Sequence, residues 1–314
     1  MASFTNQFTA ANLAASIPEI WTPIVLEQMF ASTVASNFFL DLSEYTDGGG
    51  STFDIADLYT NAFTVQTQST QGGQVTLGNP AQVKVQLAVN THKYVAALAG
   101  DKDIAQLQKS FNFHVEYANK MRKTTMNALE ADLFGLWSSL STNLITNSAA
   151  AFTDQEARQA IADIEDQNLD DSEFGELAFF MHPNVFWNQA AAITKYYSAY
   201  SRQSGGAGEK SIVSTGTFGE KPHSNGLRGD IYDIPIYVST NVVDNLGGYR
   251  NLLCHKNAFG FGVQTPGGSK VRVQSEYLLE NLGLLIVTDI IYGVVVVRDP
   301  FGVVITVSDT ATVA

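Results

Sequence analysis

GLRGDIYDIPIYVSTNVV, residues 226–243, is the stretch of sequence that says most about the fold. Gly226 and Gly229 open it, an Ile-Pro pair lies in its middle, and a Ser-Thr pair comes near its end. The run from Ile231 to Val238 is rich in β-branched and aromatic residues, which predicts a strand. A second motif, DIIYG at 289–293, lies inside another β-rich run further along the chain. These two motifs, in this order, form the most distinctive pattern in the sequence.

The C-terminal third is β-rich throughout, with strands expected at Val271 to Leu279, Leu284 to Val297 and Val303 to Val307. Upstream, Asp101 to Leu140 contains no proline and only Gly135 as glycine, and its apolar residues recur at three-four spacing. This pattern predicts one long amphipathic helix that acts as a spine. Helices and strands without regular βαβ alternation favour the α+β class.

Two further regions flank these elements. Residues 1–83 contain no Lys or Arg but several acids, and a short helix is expected after Pro18 and Pro23 with an apolar stripe as far as Phe38. From Gly48 onward, two strand-like runs enclose a tip rich in Gln, Thr and Ser, which predicts a long hairpin that needs a partner to lie on. The middle of the chain predicts a helix with an acidic face at 153–176, a strand at 177–181, a helix at 184–200 and a Gly/Ser-rich loop at 201–219.

Composition excludes several classes of protein. The chain has 18 Lys plus Arg against 31 Asp plus Glu, a net charge of −13, which argues against a surface that grips nucleic acid. The single cysteine, Cys254, cannot form an intrachain disulfide and fits a reducing site of folding. The N-terminus lacks the features of a secretory signal, and the most apolar stretch, Leu282 to Val297, is interrupted by Asp289 and Gly293. We therefore expect no membrane span.

No motif predicts catalysis, a cofactor or a metal. GGAGEKS at 205–211 has Glu209 where a phosphate-binding loop needs Gly-Lys adjacency, and it reads as a surface loop. Gly260-Phe261-Gly262 lacks the third glycine of a dinucleotide site and predicts a strand with bulge or packing glycines. The five histidines lack metal-ligand spacing, the acidic cluster at 153–176 is not an EF-hand, and Cys254 is expected to be a buried structural residue.

The order of these parts, with five local matches, resembles the major capsid proteins of tailed phages, which have the Hong Kong 97-like fold. The matches are GGGSTFDIADL (48–58), NTHKYVAALAGDKDIAQ (90–106), MHPNVFW (181–187), GLRGDIYDIPIYVSTNVV (226–243) and DIIYGVVVVRDPFGVVI (289–305). The resemblance implies an N-terminal arm (1–45), an extended β-hairpin loop (46–95), a peripheral domain with the spine helix (96–150), an axial domain (151–270) and C-terminal strands that return to the peripheral domain (271–314).

It also implies the function of a non-enzymatic shell subunit without cofactors. Such a subunit forms hexamers and pentamers of an icosahedral shell around double-stranded DNA, is assembled in the host bacterial cytoplasm and resides in the virion. Its partners are a scaffolding protein, a portal and a cement or decoration protein. The crosslinking member of the family uses a hairpin lysine, and none precedes Lys84 here, so we expect a non-covalent lattice. Arg298-Asp299-Pro300 departs from the family's Arg-Pro and leaves the end of the strand open.

Several residues are expected to lie between subunits. Glu19 and Glu27 are candidates for docking a basic segment of the scaffold, because the arm is acidic. Cations are expected to pair with acidic faces of neighbouring copies. The full set of expected contacts is Glu19, Glu27, Phe63, Gln71, Gly72, Gly73, Lys109, Lys120, Arg122, Lys123, Gly205 and Gly206.

Two other functions remain open from the sequence. An encapsulin-like nanocompartment shell shares the fold but stores cargo enzymes, and particle contents would distinguish it from a capsid. A soluble α+β hydrolase or sugar-binding domain would need a converging polar pocket, and no motif predicts one.

Overall fold

The computed structural model describes residues 33–46, 49–57, 83–101, 113–147, 150–167, 176–190, 213–214, 227–232, 234–243, 248–265 and 270–308. The helices are α1 (Ala35–Phe38), α2 (Ser43–Thr46), α3 (Phe113–Gly135), α4 (Asp154–Glu165) and α5 (Pro183–Asn188). The strands are β1 (Leu40–Asp41), β2 (Thr52–Asp57), β3 (Val83–Ala88), β4 (Thr91–Gly100), β5 (Asn143–Asn147), β6 (Leu177–Met181), β7 (Val213–Ser214), β8 (Leu227–Ile231), β9 (Ile234–Val238), β10 (Gly248–His255), β11 (Phe259–Gln264), β12 (Arg272–Leu278), β13 (Gly283–Val296) and β14 (Gly302–Ser308). The α+β class is confirmed.

A seven-stranded mixed sheet has the order β5-β14-β10-β6-β9-β8-β7. Its central strand β6 is buried along its whole length, as expected for the continuous apolar run LAFFM. Helix α4 packs on this sheet, and Phe152, Ala160 and Ile164 join the strands in one apolar cluster. Strand β14 lies between β5, to which it is parallel, and β10, to which it is antiparallel.

The second sheet is organised around the 14-residue strand β13. One edge of β13 pairs with β4, and the other edge pairs with β12 in its first half and with β11 in its second half. Strand β1 adds to β11 in parallel. Helix α3, the spine helix, packs across β13 and β4, and its Leu129, Leu133 and Phe134 enter the largest apolar cluster.

The base of the extended hairpin lies on this second sheet. Strands β2 and β3 pair with each other from Thr52↔Ala88 to Asp57↔Val83. Leu87 and Val89 are buried in a small apolar cluster with Leu42. The predicted tip of the hairpin, at 58–82, lies outside the described residues.

Four predicted strands are confirmed: the strand at 177–181 has the same bounds as β6, and β12, β13 and β14 agree with the prediction within one residue at each end. The prediction of one strand from Ile231 to Val238 is wrong. The chain reverses there, because Ile231 pairs with Ile234 and Tyr232 takes a left-handed φ of 52°. β8 and β9 therefore form a tight hairpin, as a left-handed turn residue permits.

The predicted spine helix is described from Phe113 as α helix to Gly135, followed by a short 3-10 helix to Ser139. The acidic-face helix is present as α4 and begins with a capping box formed by Thr153 and Glu156. The helix predicted at 184–200 is present as α5, which ends at Asn188 with Gln189 as its C-cap, so the prediction is wrong in its extent there. Residues 191–200 lie outside the described part. Among the described helices, none is both long and apolar enough to cross a bilayer.

The departure at Arg298-Asp299-Pro300 has a local explanation. Strand β13 ends at Val296, and residues 299–301 form a 3-10 turn. The Asp299 carboxylate accepts hydrogen bonds from the Ser141 N–H at 3.0 Å and from the Thr142 hydroxyl at 2.8 Å. The added aspartate thus ties the start of β14 to the end of the spine segment.

Candidate functional site

The candidate site is a junction where the spine helix, the hairpin base and residues 33–46 meet the second sheet. We call residues 33–46 the arm root. The DIIYG motif lies at the centre of this junction, and its Asp, Tyr and Gly residues each make a different long-range contact.

Asp289 joins three strands of the sheet. Arg272 on β12 donates from Nε to Oδ1 at 2.9 Å and from Nη2 to Oδ2 at 2.6 Å. His92 on β4 lies with Nε2 2.9 Å from Oδ2. The Arg272 guanidinium lowers the pKa of the Asp289 carboxyl, although burial opposes this. A bidentate charge-assisted pair of this kind fixes the register of β12 on β13.

Tyr292 connects the sheet to the spine helix. Its hydroxyl donates to Asp132 Oδ2 at 2.5 Å, and Lys93 on β4 donates to both oxygens of Asp132 at 2.8 Å. Burial, together with the neighbouring Asp132 charge, raises the pKa of Tyr292. The hydroxyl therefore stays protonated and acts as a donor, so the helix is held to two strands at one point.

Gly293 lets two backbones touch. A Cβ at this position would lie 2.2 Å from the carbonyl oxygen of Ala88 at the end of β3. Gly262 on β11 pairs directly with Gly293, and a Cβ there would lie 2.7 Å from Thr46 Cγ2 and 2.9 Å from Leu87 Cδ2. The paired glycines seat the hairpin base and the arm root against the sheet, which confirms the prediction of packing glycines at 260–262.

Glu130 of the spine helix anchors the arm root. Its Oε1 accepts from the backbone N–H groups of Val34 at 2.5 Å and Ala35 at 2.6 Å, and Oε2 accepts from Ser36 at 3.1 Å. Burial raises the pKa of Glu130, although these hydrogen bonds favour the ionised form. Among the described residues, no Lys, Arg or His pairs with this buried carboxylate. The hydrogen bonds from these N–H groups therefore offset the free-energy cost of burying the carboxylate.

A second set of bonds holds the other end of the arm root on β11. The Thr46 hydroxyl donates to the Val263 carbonyl at 3.1 Å, and the Val263 N–H donates to Ser43 Oγ at 3.1 Å. Lys270 donates to Asp41 Oδ2 at 2.5 Å. The arm root is therefore fixed at both ends, to the spine helix and to the sheet.

Beyond the junction, the second sheet extends as a three-stranded projection. We call this part the wing: residues 94–100 of β4, all of β12, and residues 283–289 of β13, with the turn 279–282 as its tip. On one face Tyr94 is 69% exposed and Leu98 46% exposed. Tyr94 and Leu98 pair with odd-numbered residues of β13, whereas Val273 and Tyr277 pair with the even-numbered Thr288 and Leu284 and so lie on the opposite face. Both Val273 and Tyr277 are exposed. The wing thus presents large apolar side chains on both faces.

Three of the expected contact residues are described. Lys120, Arg122 and Lys123 lie within one turn of the spine helix; Arg122 and Lys123 are exposed and Lys120 is half-buried. They are not part of the junction. The other expected residues, Glu19, Glu27, Phe63, Gln71, Gly72, Gly73, Lys109, Gly205 and Gly206, lie outside the described residues.

Sequence reasoning missed the roles of Glu130, Asp132 and Lys93. Glu130 lies three residues before Leu133, a member of the apolar stripe, which was a weak signal of burial. The partners of all three residues come from distant segments, so no local spacing predicts the contacts.

The polar contacts described at the junction join segments of the chain to one another. In the described part of the chain, no group of three or more His, Cys, Asp or Glu side chains could hold a metal ion. Cys254 is buried, as predicted, and burial raises the pKa of its thiol well above the usual value. The contacts of the junction hold the arm root, the hairpin base and the spine helix in fixed directions on the second sheet.

Several solved structures with this architecture are phage structures. A structure of Mycobacterium phage Che8 matches with a TM-score of 0.65 and 19% sequence identity, covering 94% of this chain and 98% of that one. The capsid structure of the cyanophage P-SCSP1u matches with a TM-score of 0.67 and 11% identity, covering 98% and 97%. The chain has the fold of a phage capsid protein.

An encapsulin has the same fold. The holo-SrpI encapsulin complex from Synechococcus elongatus matches with a TM-score of 0.61 and 12% identity, covering 98% of this chain and 99% of that one. No family model matches the sequence, and no curated protein sequence matches it. At these identities the likeness concerns the capsid fold over its full length.

Proposed function

We propose that this protein is a capsid protein that assembles with copies of itself into a closed shell. The observation that carries the proposal is the wing, whose two faces both expose large apolar side chains such as Tyr94, Leu98 and Tyr277. Contiguous exposed apolar surface of this kind marks a site of protein association. These side chains are exposed in the subunit, whereas neighbouring copies in a shell can cover them.

The charge of the chain suits a shell that encloses DNA. With a net charge of −13, many copies together repel a polyanion instead of binding it, so packaged DNA is confined without adhering to the wall. We further propose that the copies form hexamers and pentamers of an icosahedral lattice around double-stranded DNA, in a virion assembled in a bacterial host. Scaffolding, portal and cement or decoration proteins are the expected partners. The protein then acts structurally and catalyses no reaction.

The division into arm, extended loop, peripheral domain, axial domain and returning strands remains a prediction, as do the contacts of Glu19, Glu27 and the hairpin tip. Exchanging Glu19 and Glu27 for Lys should lower the yield of scaffold-directed particles. An unchanged yield would show that these two glutamates do not dock the scaffold.

The test of shell formation is the state of the purified protein. Light scattering coupled to size-exclusion chromatography, with negative-stain microscopy, should show closed particles. Leu98→Glu on the wing should leave folded but unassembled subunits, while the control Ser138→Glu, on an exposed position outside the wing, should assemble normally. A wild-type protein that stays monomeric at high concentration would refute shell formation.

An encapsulin-like shell is the second candidate, because an encapsulin shares the fold over nearly the whole chain. Particles purified from the native source distinguish the two functions. A capsid contains double-stranded DNA, whereas a nanocompartment contains a cargo protein in defined stoichiometry and no genome.

A further inference from the structure

Strand β12 forms an open edge of the wing. It has seven residues, Arg272–Leu278, and pairs with β13 on one side. Among the described residues, none pairs with β12 on its other side, where the order of the sheet ends. An edge strand presents a row of N–H and C=O groups that can pair with another strand. At about 3.3 Å per residue, this open edge is about 23 Å long.

The edge lacks the features by which soluble proteins usually protect an exposed strand. Its sequence, RVQSEYL, contains no proline, glycine or lysine, and its described register on β13 has no bulge. Its one basic side chain, Arg272, is held by Asp289 of the same chain. Residues 273–277 are all exposed. A long, regular and unprotected edge of this kind indicates that another strand pairs with it in the assembled state.

The strand is held in one shape by contacts at both of its ends. At one end, Arg272 Nη2 donates to Asp289 Oδ2 at 2.6 Å. At the other end, the Tyr277 hydroxyl donates to Asp101 Oδ2 at 2.5 Å. Between these contacts every residue of β12 is paired with β13. A strand that is already ordered loses little conformational entropy when it pairs again, which favours association through this edge.

The sequence of β12 is complementary to itself in an antiparallel arrangement. Ser275 is the midpoint of the strand, so two copies that pair over its full length place Ser275 opposite Ser275. This register also places Val273 of each copy opposite Tyr277 of the other, and Gln274 opposite Glu276. Val273 and Tyr277 are each 43% exposed, so the pairing covers apolar surface on one face. On the other face, the Gln274 amide can donate to the Glu276 carboxylate.

We infer that β12 pairs antiparallel with β12 of a second copy across a two-fold axis at Ser275, which joins two wings into one six-stranded sheet. The inference rests on the proposed shell function and names one contact within it. The interface is isologous, because the same edge of each copy forms it. Seven residues a side is fewer than the roughly 20–30 of a standard interface, so the pairing is weak between free subunits and forms on assembly.

A disulfide across the two-fold axis tests the pairing. In this register the Cα atoms of the two copies of residue 275 lie about 4.5–5.5 Å apart, within the range for a disulfide. The two copies of residue 274 lie on a diagonal, about 7–8 Å apart, which is beyond that range. Mild oxidation of assembled particles should give about tenfold more disulfide-linked dimer with Ser275→Cys than with Gln274→Cys on a non-reducing gel. The natural Cys254 is buried and should not react.

A charge at the same position provides a second measurement. Ser275→Lys places two ammonium groups directly opposite each other and should raise the critical concentration for assembly by about threefold, measured by light scattering. Ser138→Lys, at an exposed position outside the wing, is the matched control and should assemble like wild type. Because both serines are exposed, the two variants should unfold at the same temperature as wild type, as followed by circular dichroism.

Each outcome has a distinct meaning. Dimers through residue 275 and few through residue 274 are the expected result. Particles of normal yield in which Ser275→Cys forms no dimer would show that the edge pairing is wrong, although the shell function stands. Stronger crosslinking through residue 274 would overturn the register centred on Ser275. Assembly of Ser275→Lys at the wild-type critical concentration would also contradict the pairing. A wild-type protein that never assembles would overturn both proposals.

Discussion

Replacing Glu130 by alanine tests whether one buried carboxylate holds the arm root on the spine helix. The variant removes the acceptor of the N–H groups of Val34, Ala35 and Ser36. The side chains around it, including Leu129, Leu133 and Phe39, stay in place. The expected result is a local loosening of residues 33–39 with the rest of the fold intact.

The size of the effect follows from burial. Val34 and Ala35 are buried, so their N–H groups find no water in place of the carboxylate, and each unpaired donor costs about 1–3 kcal/mol. Ser36 is half-buried and water replaces its bond at little cost. Removing a buried charge offsets part of the loss. We expect a net local cost of about 2–4 kcal/mol, equivalent to amide exchange at least about thirtyfold faster.

Hydrogen exchange followed by mass spectrometry measures this directly in a peptide covering residues 33–39. Glu165→Ala, which removes an exposed glutamate from α4, is the matched control and should leave that peptide unchanged. Equal protection of the peptide in wild type and Glu130→Ala would show that the carboxylate does not anchor the arm root.

The same residue makes a prediction about pH. Because burial raises the pKa of Glu130, the folded subunit binds a proton more readily than the unfolded chain. The contribution of this titration to stability is complete below the unfolded pKa and is lost as the pH rises through the folded value. The free energy of unfolding of wild type minus that of Glu130→Gln should therefore fall as the pH rises above the ordinary glutamate pKa of 4.5. A slope of the opposite sign would mean that the hydrogen bonds outweigh burial.

The remaining predictions concern the junction and the core. Gly293→Ala should destabilise the subunit by about 1–3 kcal/mol, because the new Cβ would clash with the Ala88 carbonyl. Gly135→Ala, in open space on a helix, is the control and should stabilise the subunit by about 0.5–1 kcal/mol. Equal shifts in Tm for the two variants would contradict this. Asp289→Asn should lower the free energy of unfolding by about 1–3 kcal/mol at neutral pH. Because the pKa of Asp289 is lowered, this difference between wild type and variant should shrink as acid protonates the wild-type carboxylate below about pH 4. A difference that does not change with pH in urea titrations would exclude the ionic role. Cys254 should react with a thiol reagent only on unfolding, and rapid labelling of the native protein would show that it is accessible.

The C-terminal strands could be predicted from the sequence because their signal is local. Runs of β-branched residues at 284–297 and 303–307 are long, apolar and bounded by turn residues, so β13 and β14 differ from the prediction by two residues or fewer at each end. The reversal at Tyr232 has a weaker signal, because Asp233 favours a turn but the left-handed position is a tyrosine instead of glycine or asparagine. Its left-handed residue is recognisable only once the Ile231↔Ile234 pairing is known.

The junction shows what local patterns cannot provide. The DIIYG motif was singled out from the sequence, but its roles depend on Arg272, Asp132 and Ala88, which belong to other segments. Glu130 illustrates the same limit, since it is buried by residues more than ninety positions away. Helical periodicity predicts which side of a helix faces a core, whereas the segment that covers it is a property of the tertiary fold.

The position of β14 has a consequence for biosynthesis. This strand inserts between β5 and β10, so the large sheet stays divided until residue 308 has been translated. During most of its synthesis the nascent polypeptide therefore lacks a closed core, and folding is delayed until the last strand arrives. Ribosome-bound fragments should be unable to polymerise, which restricts nucleation to finished subunits and favours uniform particles over aberrant aggregates.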